Sequence, residues 1–162
     1  MDILEVAQKM EQEGIAYYEK LASETPVSEL KGVFAFLAEE EQRHLEIFQT
    51  LASKKPVNDV GDGTSTTEQV KKIFEQLTTS FTLPEIVYDY EAAYRKALSM
   101  EEESVTYYSE QLSSIDDNQK ETLDFIISQE KGHVKLLESL IDFVSNPKVW
   151  LENSEWNHLD TY

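Results

Sequence analysis

Four glutamates and two histidines stand at spacings that suit metal chemistry. Glu41 is followed three residues later by His44 and Glu130 three residues later by His133; earlier in each half one glutamate, Glu11 or Glu101, lies in the middle of an inward stripe. Residues at i and i+3 leave one side of one helical turn, so each Glu and His pair can reach a common ion. One Glu-x-x-His is ordinarily part of a solvated face. Here two copies use two of the chain's three histidines, and all six residues fall on stripes that are otherwise mostly apolar or aromatic. Four carboxylates gathered in one core would each lose hydration and raise one another's pKa unless positive charge lay among them. With both imidazoles neutral, two ferrous ions balance four carboxylates and one ion does not. Carboxylate and imidazole donors without sulfur suit iron or manganese and are less typical of structural zinc.

The absence of cysteine from the 162 residues removes thiolate zinc sites, iron–sulfur clusters, disulfides and thiol nucleophiles. With 14 basic and 32 acidic residues the net charge is −18, which repels nucleic acid and anionic membrane surfaces and helps to draw cations. Neither a leader-like N-terminus nor an apolar run of the ~18 residues a spanning helix needs is present, so a cytoplasmic location is expected. The length and a 40% hydrophobic content suit one domain. Five Gly and four Pro, separated by long stretches rich in Glu, Lys, Leu, Ala and Gln, favour an all-α chain.

Periodicity locates the helices that must position these groups. Steps of three and four link Leu4, Ala7, Glu11, Gly14, Tyr18 and Leu21 on a first helix over about 2–23. Thr25-Pro26 predicts an N-cap and first helical position for a second helix over about 26–53, with Phe34, Leu37, Glu41, His44, Phe48 and Leu51 inward. A polar, turn-rich segment opens a crossover over about 54–85 containing a short helix near 67–78. The third helix, about 86–113, carries Tyr90, Tyr94, Ala97, Glu101, Ser104 and Tyr108. Asp116-Asp117 predicts the cap of a fourth, about 117–145, with Leu123, Ile126, Glu130, His133, Leu137, Leu140 and Val144 inward and Asn146-Pro147 as its stop. Two tight hairpins joined by one long crossover is the connectivity of a ferritin-like four-helix bundle, over residues 1–146. Met10 to Tyr18 recurs as Met100 to Tyr108, and Glu41 to His44 as Glu130 to His133, so the hairpins read as halves of a pseudo-symmetric whole.

Tyr18 and Tyr108 share the glutamate stripes and are candidates for redox or ligand-supporting groups, against the usual core-filling role of such aromatics. Glu13 and Glu103 point elsewhere. The tail, 147–162, places Trp150, Leu151, Trp156 and Leu159 close together and is expected to be a short helical segment that docks on the bundle or on a second subunit, with His158 outside the metal site.

The segments Met10-Glu11…Tyr18, Leu37-Ala38-Glu39-Glu40-Glu41-Gln42-Arg43-His44, Glu101…Tyr108 and Glu130…His133 resemble the ferritin-like superfamily, most closely the rubrerythrin-type di-iron domains, over roughly 2–145. The resemblance implies two iron ions, with Glu11 and Glu101 terminal, Glu41 and Glu130 bridging, and His44 and His133 each completing one iron. It departs at two points. A cysteine-bound rubredoxin iron is lacking, so reducing electrons are expected from another protein. Ser104 and Gly14 stand where the family's additional glutamate and its first-helix counterpart would be, so the ligand exchange linked to that glutamate is not carried over. The leading expectation is reduction of hydrogen peroxide or O₂ by a homodimer or larger assembly. Two alternatives are a ferroxidase or iron-handling protein and a metal-stabilised helical interaction module.

Overall fold

The computed structural model describes residues 2–57, 68–73, 75–76 and 91–145. Four long helices dominate them: α1 (Ile3–Glu24), α2 (Ser28–Ala52), α3 (Glu91–Gln111) and α4 (Lys120–Ser145). No strand occurs among the described residues, and no helix there is long and apolar enough to cross a membrane. The chain is all-α and ferritin-like: α1 packs along α2, α3 along α4, and α1 also meets α3. Residues 68–73 and 75–76 are helical, and Val70 is buried against the bundle with Ile73 beside it. The rest of the expected crossover, the start of the third helix before Glu91, the stop at Asn146-Pro147 and the whole tail lie outside the described residues.

Local chemistry explains the helix ends. The Asp2 N–H donates to Glu5 Oε2 at 3.1 Å, which meets one of the donors left open at the start of α1. Thr25 does not cap the second helix as expected. It closes α1, its N–H donating to Leu21 O at 3.0 Å, and lies extended because the ring of Pro26 disfavours helical geometry in the residue before it. Val27 is still extended and becomes the N-cap, so α2 begins at Ser28. That helix ends with Lys54 at φ 60°, while the N–H groups of Lys54 and Lys55 return to Leu51 O and Thr50 O. This is the helix-ending motif usually completed by glycine, here with lysine in the left-handed position. Asp116 starts a 3-10 turn, Asp117–Gln119, rather than an α-helical first turn. Gln119 Nε2 donates to Leu51 O at 3.2 Å and ties that turn to the end of α2.

The predicted stripes reach the core. Leu4, Ala7, Glu11, Gly14, Tyr18 and Leu21 are the buried residues of α1, and every inward residue expected on α2 and on the fourth helix is buried. On α3, Tyr94, Ala97, Glu101 and Tyr108 are buried and Ser104 half-buried. Two apolar clusters result. One joins Tyr18, Phe34, Leu37, Tyr94, Leu137 and Leu140 with their neighbours, and the other joins Leu4, Ala7, Phe48, Tyr108, Leu123 and Ile126 with theirs. On each helix the chemistry-bearing residues lie between the positions assigned to one cluster and those assigned to the other. The bundle is therefore apolar at both ends and polar in a middle layer.

Candidate metal centre

All six predicted residues meet in that layer, each at most 4% exposed. Their ligand atoms form two groups, Glu11, Glu41, His44 and Glu130 in one and Glu41, Glu101, Glu130 and His133 in the other, with the atoms of each group within 4.8 Å of one another. Glu41 and Glu130 belong to both. Each of these two carboxylates offers one oxygen to each histidine. His44 Nδ1 lies 3.1 Å from Glu130 Oε1 and 3.5 Å from Glu41 Oε2; His133 Nδ1 lies 3.2 Å from Glu130 Oε2 and 3.4 Å from Glu41 Oε1. Glu11 stands 3.7 Å from the first Nδ1 and Glu101 3.6 Å from the second. The rings are 5.7 Å apart and inclined by 24°.

Tyrosines cross the bundle to hold the outer glutamates. Tyr18 on α1 donates to Glu101 Oε1 at 2.5 Å, and Tyr108 on α3 donates to Glu11 Oε1 at 2.7 Å. Both tyrosines hold their protons well above the usual phenol range, first because they are buried and then because of the carboxylates beside them. They are fixed hydrogen-bond donors at neutral pH. Both tyrosines thus stand against the outer glutamates, and both also fill core: Tyr18 stacks on Phe34 and Tyr108 packs on Phe48.

Without metal, the layer divides its protons unevenly. Burial raises Glu41 well above the ordinary carboxylate range and Glu130 to about 8, and the charges of Glu101 and Glu11 push the same way. Burial acts likewise on Glu11 and Glu101, but for Glu11 the polar groups of Glu41 and His44 close by outweigh it, and for Glu101 the charge of His133 and its hydrogen bonds do. Both are left below the ordinary value. Burial alone would lower His44, yet the Glu130 charge and hydrogen bonds with Glu11, Glu130 and Glu41 drive it well above its usual value. Protons thus occupy the shared carboxylates and a histidine, where cations would replace them. Glu11 Oε2 is buried with no hydrogen-bond partner, a free donor atom aimed into the layer. Four carboxylates, two imidazoles and this open oxygen suit a pair of divalent cations bound through oxygen and nitrogen.

Two residues not singled out from the sequence complete the surroundings. Gln129 Oε1 accepts from His44 Nε2 at 2.7 Å, which leaves Nδ1 for the layer. Glu40, also buried, places Oε1 3.8 Å from His133 Nε2 while its Oε2 pairs with Arg43 at 3.1 Å. Each directly precedes a shared glutamate, so aligning the two half-repeats would have paired them.

Between α1 and α3 a cavity of about 50 Å³ touches Glu41 and Glu101. Gly14, Ser104, Met10 and Met100 line it, with Tyr18 on its wall and the exposed Glu13 and Glu103 at its edge. A Cβ on Gly14 would stand 3.6 Å from Glu41 Cγ, an ordinary contact.

A helical bundle with a glutamate on each of two helices and a Glu-x-x-His on each of the other two defines the class of ferritin-like carboxylate proteins built for dinuclear metal sites. A family profile described as Rubrerythrin matches residues 2–141, and the chain belongs to the rubrerythrin family. It is 42% identical over 50 residues to an uncharacterised protein of Archaeoglobus fulgidus, an alignment covering 31% of this chain and 79% of that protein. No solved structure matches the chain.

Proposed function

We propose that the chain is a di-iron redox protein that reduces hydrogen peroxide or O₂ with electrons from an external donor protein. The observation that carries this reading is the sharing of Glu41 and Glu130 between two ligand groups, each carboxylate turning one oxygen toward each histidine. Glu11 with His44 and Glu101 with His133 would complete the two positions. Bound there, two ferrous ions would supply the two electrons that, with two protons, convert one hydrogen peroxide into two waters.

The chain's own groups prepare for that reaction. Tyr18 and Tyr108 hold Glu101 and Glu11 in place through hydrogen bonds to one carboxylate oxygen of each, and the second oxygen of Glu11 has no hydrogen-bond partner. Gln129 holds the His44 ring so that Nδ1 faces the layer. The cavity beside Glu41 and Glu101 has room for a molecule of a few heavy atoms, since roughly 10–15 Å³ of such space holds one water. Tyr18, still protonated, presents a hydroxyl at the cavity wall, and the apolar clusters above and below keep bulk water from the layer.

Anaerobic loading with Fe²⁺ followed by visible spectroscopy as H₂O₂ is added tests the reading. Loss of peroxide over many turnovers in the presence of an electron donor supports it; a colourless, redox-silent protein removes it. Iron handling is the second reading, favoured by the 32 acidic against 14 basic residues, whose field draws ferrous ion toward the bundle. Sub-stoichiometric peroxide consumption followed by release of Fe³⁺ would select it.

A further inference from the structure

The half-repeats are alike in every proposed ligand but differ directly behind the histidines. Glu40 precedes Glu41 on α2 and faces His133 of the opposite hairpin; Gln129 precedes Glu130 on α4 and faces His44 of the first hairpin. Both are buried, at 1% and 6% exposure. The pseudo-symmetric place is thus filled by a carboxylate on one side and a neutral amide on the other.

The contacts are specific. Gln129 leaves its Nε2 buried without a hydrogen-bond partner, so its burial is offset through Oε1 and His44. Apolar packing would be met better by leucine. Glu40 divides its oxygens, Oε2 to Arg43 and Oε1 toward His133. At 3.8 Å the second is a charge contact rather than a hydrogen bond, but in a buried setting one negative charge at that range still favours a cation beyond the ring. A carboxylate behind a metal-bound imidazole makes the ring a stronger donor, whereas an amide fixes its orientation without adding charge.

We propose that the two metal positions are unequal, the one completed by His133 and backed by Glu40 binding its ion more tightly than the one completed by His44 and backed by Gln129. The inference rests on the di-metal reading and assigns Glu40 and Gln129 as positioning residues that rank the two halves. The His133 position fills first and empties last, and the His44 position is the exchangeable one.

Cobalt(II) titration of the full chain, followed by its visible absorption and by competition with a chelator, tests this without any turnover. Two binding steps separated by about 10- to 100-fold are expected, the usual scale for partners behind a metal ligand. Glu40→Gln should weaken the tighter step and Gln129→Glu should strengthen the weaker one, each bringing the two together. The double exchange should restore the separation with the halves reversed. Single-position variants identify them: His44→Ala keeps the tighter step in the natural background and the weaker step in the exchanged one. If Glu40→Gln fails to fold, Gln129→Glu decides alone. Two ions bound with equal affinity, or a separation that Gln129→Glu leaves untouched, would overturn the inference while the di-metal reading stands. Fewer than two ions in the natural chain would overturn both.

Discussion

The middle layer of the bundle and its two apolar ends are built from the same helices by opposite rules. At the ends, side chains such as Phe34, Leu137, Phe48 and Ile126 are wholly buried and each adds to stability. In the layer, equally buried glutamates hold their protons against repulsion, and an oxygen of Glu11 has no hydrogen-bond partner. The ends hold the fold together and so tolerate an unfavourable layer between them. Stability and function are thus separable by height along the bundle, and substitutions should separate them.

The largest effect is expected at the shared carboxylates. Glu130→Ala or Glu41→Ala removes a ligand from both positions, and iron per chain, about two when loaded, should fall to one or fewer in metal analysis. Unchanged iron content in both variants would break the comparison.

An end-cluster change should do the reverse. Leu137→Ala, at a position fully buried among apolar neighbours, should cost ~2–5 kcal/mol in denaturant unfolding while iron stoichiometry in the folded fraction stays at two. Loss of iron without loss of stability would show that the ends also tune the site.

Metal itself should restore what the layer lacks. Ferrous ion at a hundredfold excess over its Kd should add ~2.7 kcal/mol, or roughly 5–10 °C in melting temperature for a chain of this size. Equal melting curves with and without Fe²⁺ would place the ion outside the core.

A pH series sharpens the point. Between the ordinary carboxylate range and about 8, Glu130 holds a proton in the folded metal-free chain that the unfolded chain has released, and Glu41 and His44 are raised in the same sense. Metal-free stability should therefore fall as pH rises through this window. Glu11 and Glu101, held low, contribute stability that is lost only under acid. Metal uptake should tighten over the same rise and release protons. Calorimetry from about pH 5 to about pH 8 checks both, and a flat profile would contradict the uneven sharing of protons. The smallest effect is expected for Tyr108→Phe, which removes one donor from Glu11 and should cost about 1–3 kcal/mol in the metal-free chain with both ions retained.

Much of this was legible from spacing. The stripe from Leu4 to Leu21 and the placement of all six polar residues follow from the helical period, which one strongly patterned helix expresses without help from its neighbours. Gln129 and Glu40 were not legible in that way. They lie about 100° round the helix from the shared glutamates, and whether that direction is buried depends on how α2 and α4 pack together. The start of α2 was misplaced for a local reason, since Thr25-Pro26 reads equally as the end of one helix and the start of the next. The fourth helix expected at 117 enters through a 3-10 turn because one turn of tighter winding carries Gln119 to the Leu51 carbonyl.

The central claim is that one layer binds two ions through Glu41 and Glu130 together. Anomalous diffraction at the iron edge from crystals loaded anaerobically with Fe²⁺ tests it most directly. Two peaks about 3.5–4 Å apart, with a carboxylate oxygen of Glu41 and of Glu130 on each, are the expected result. A single peak, or peaks confined to exposed acidic side chains, would contradict it.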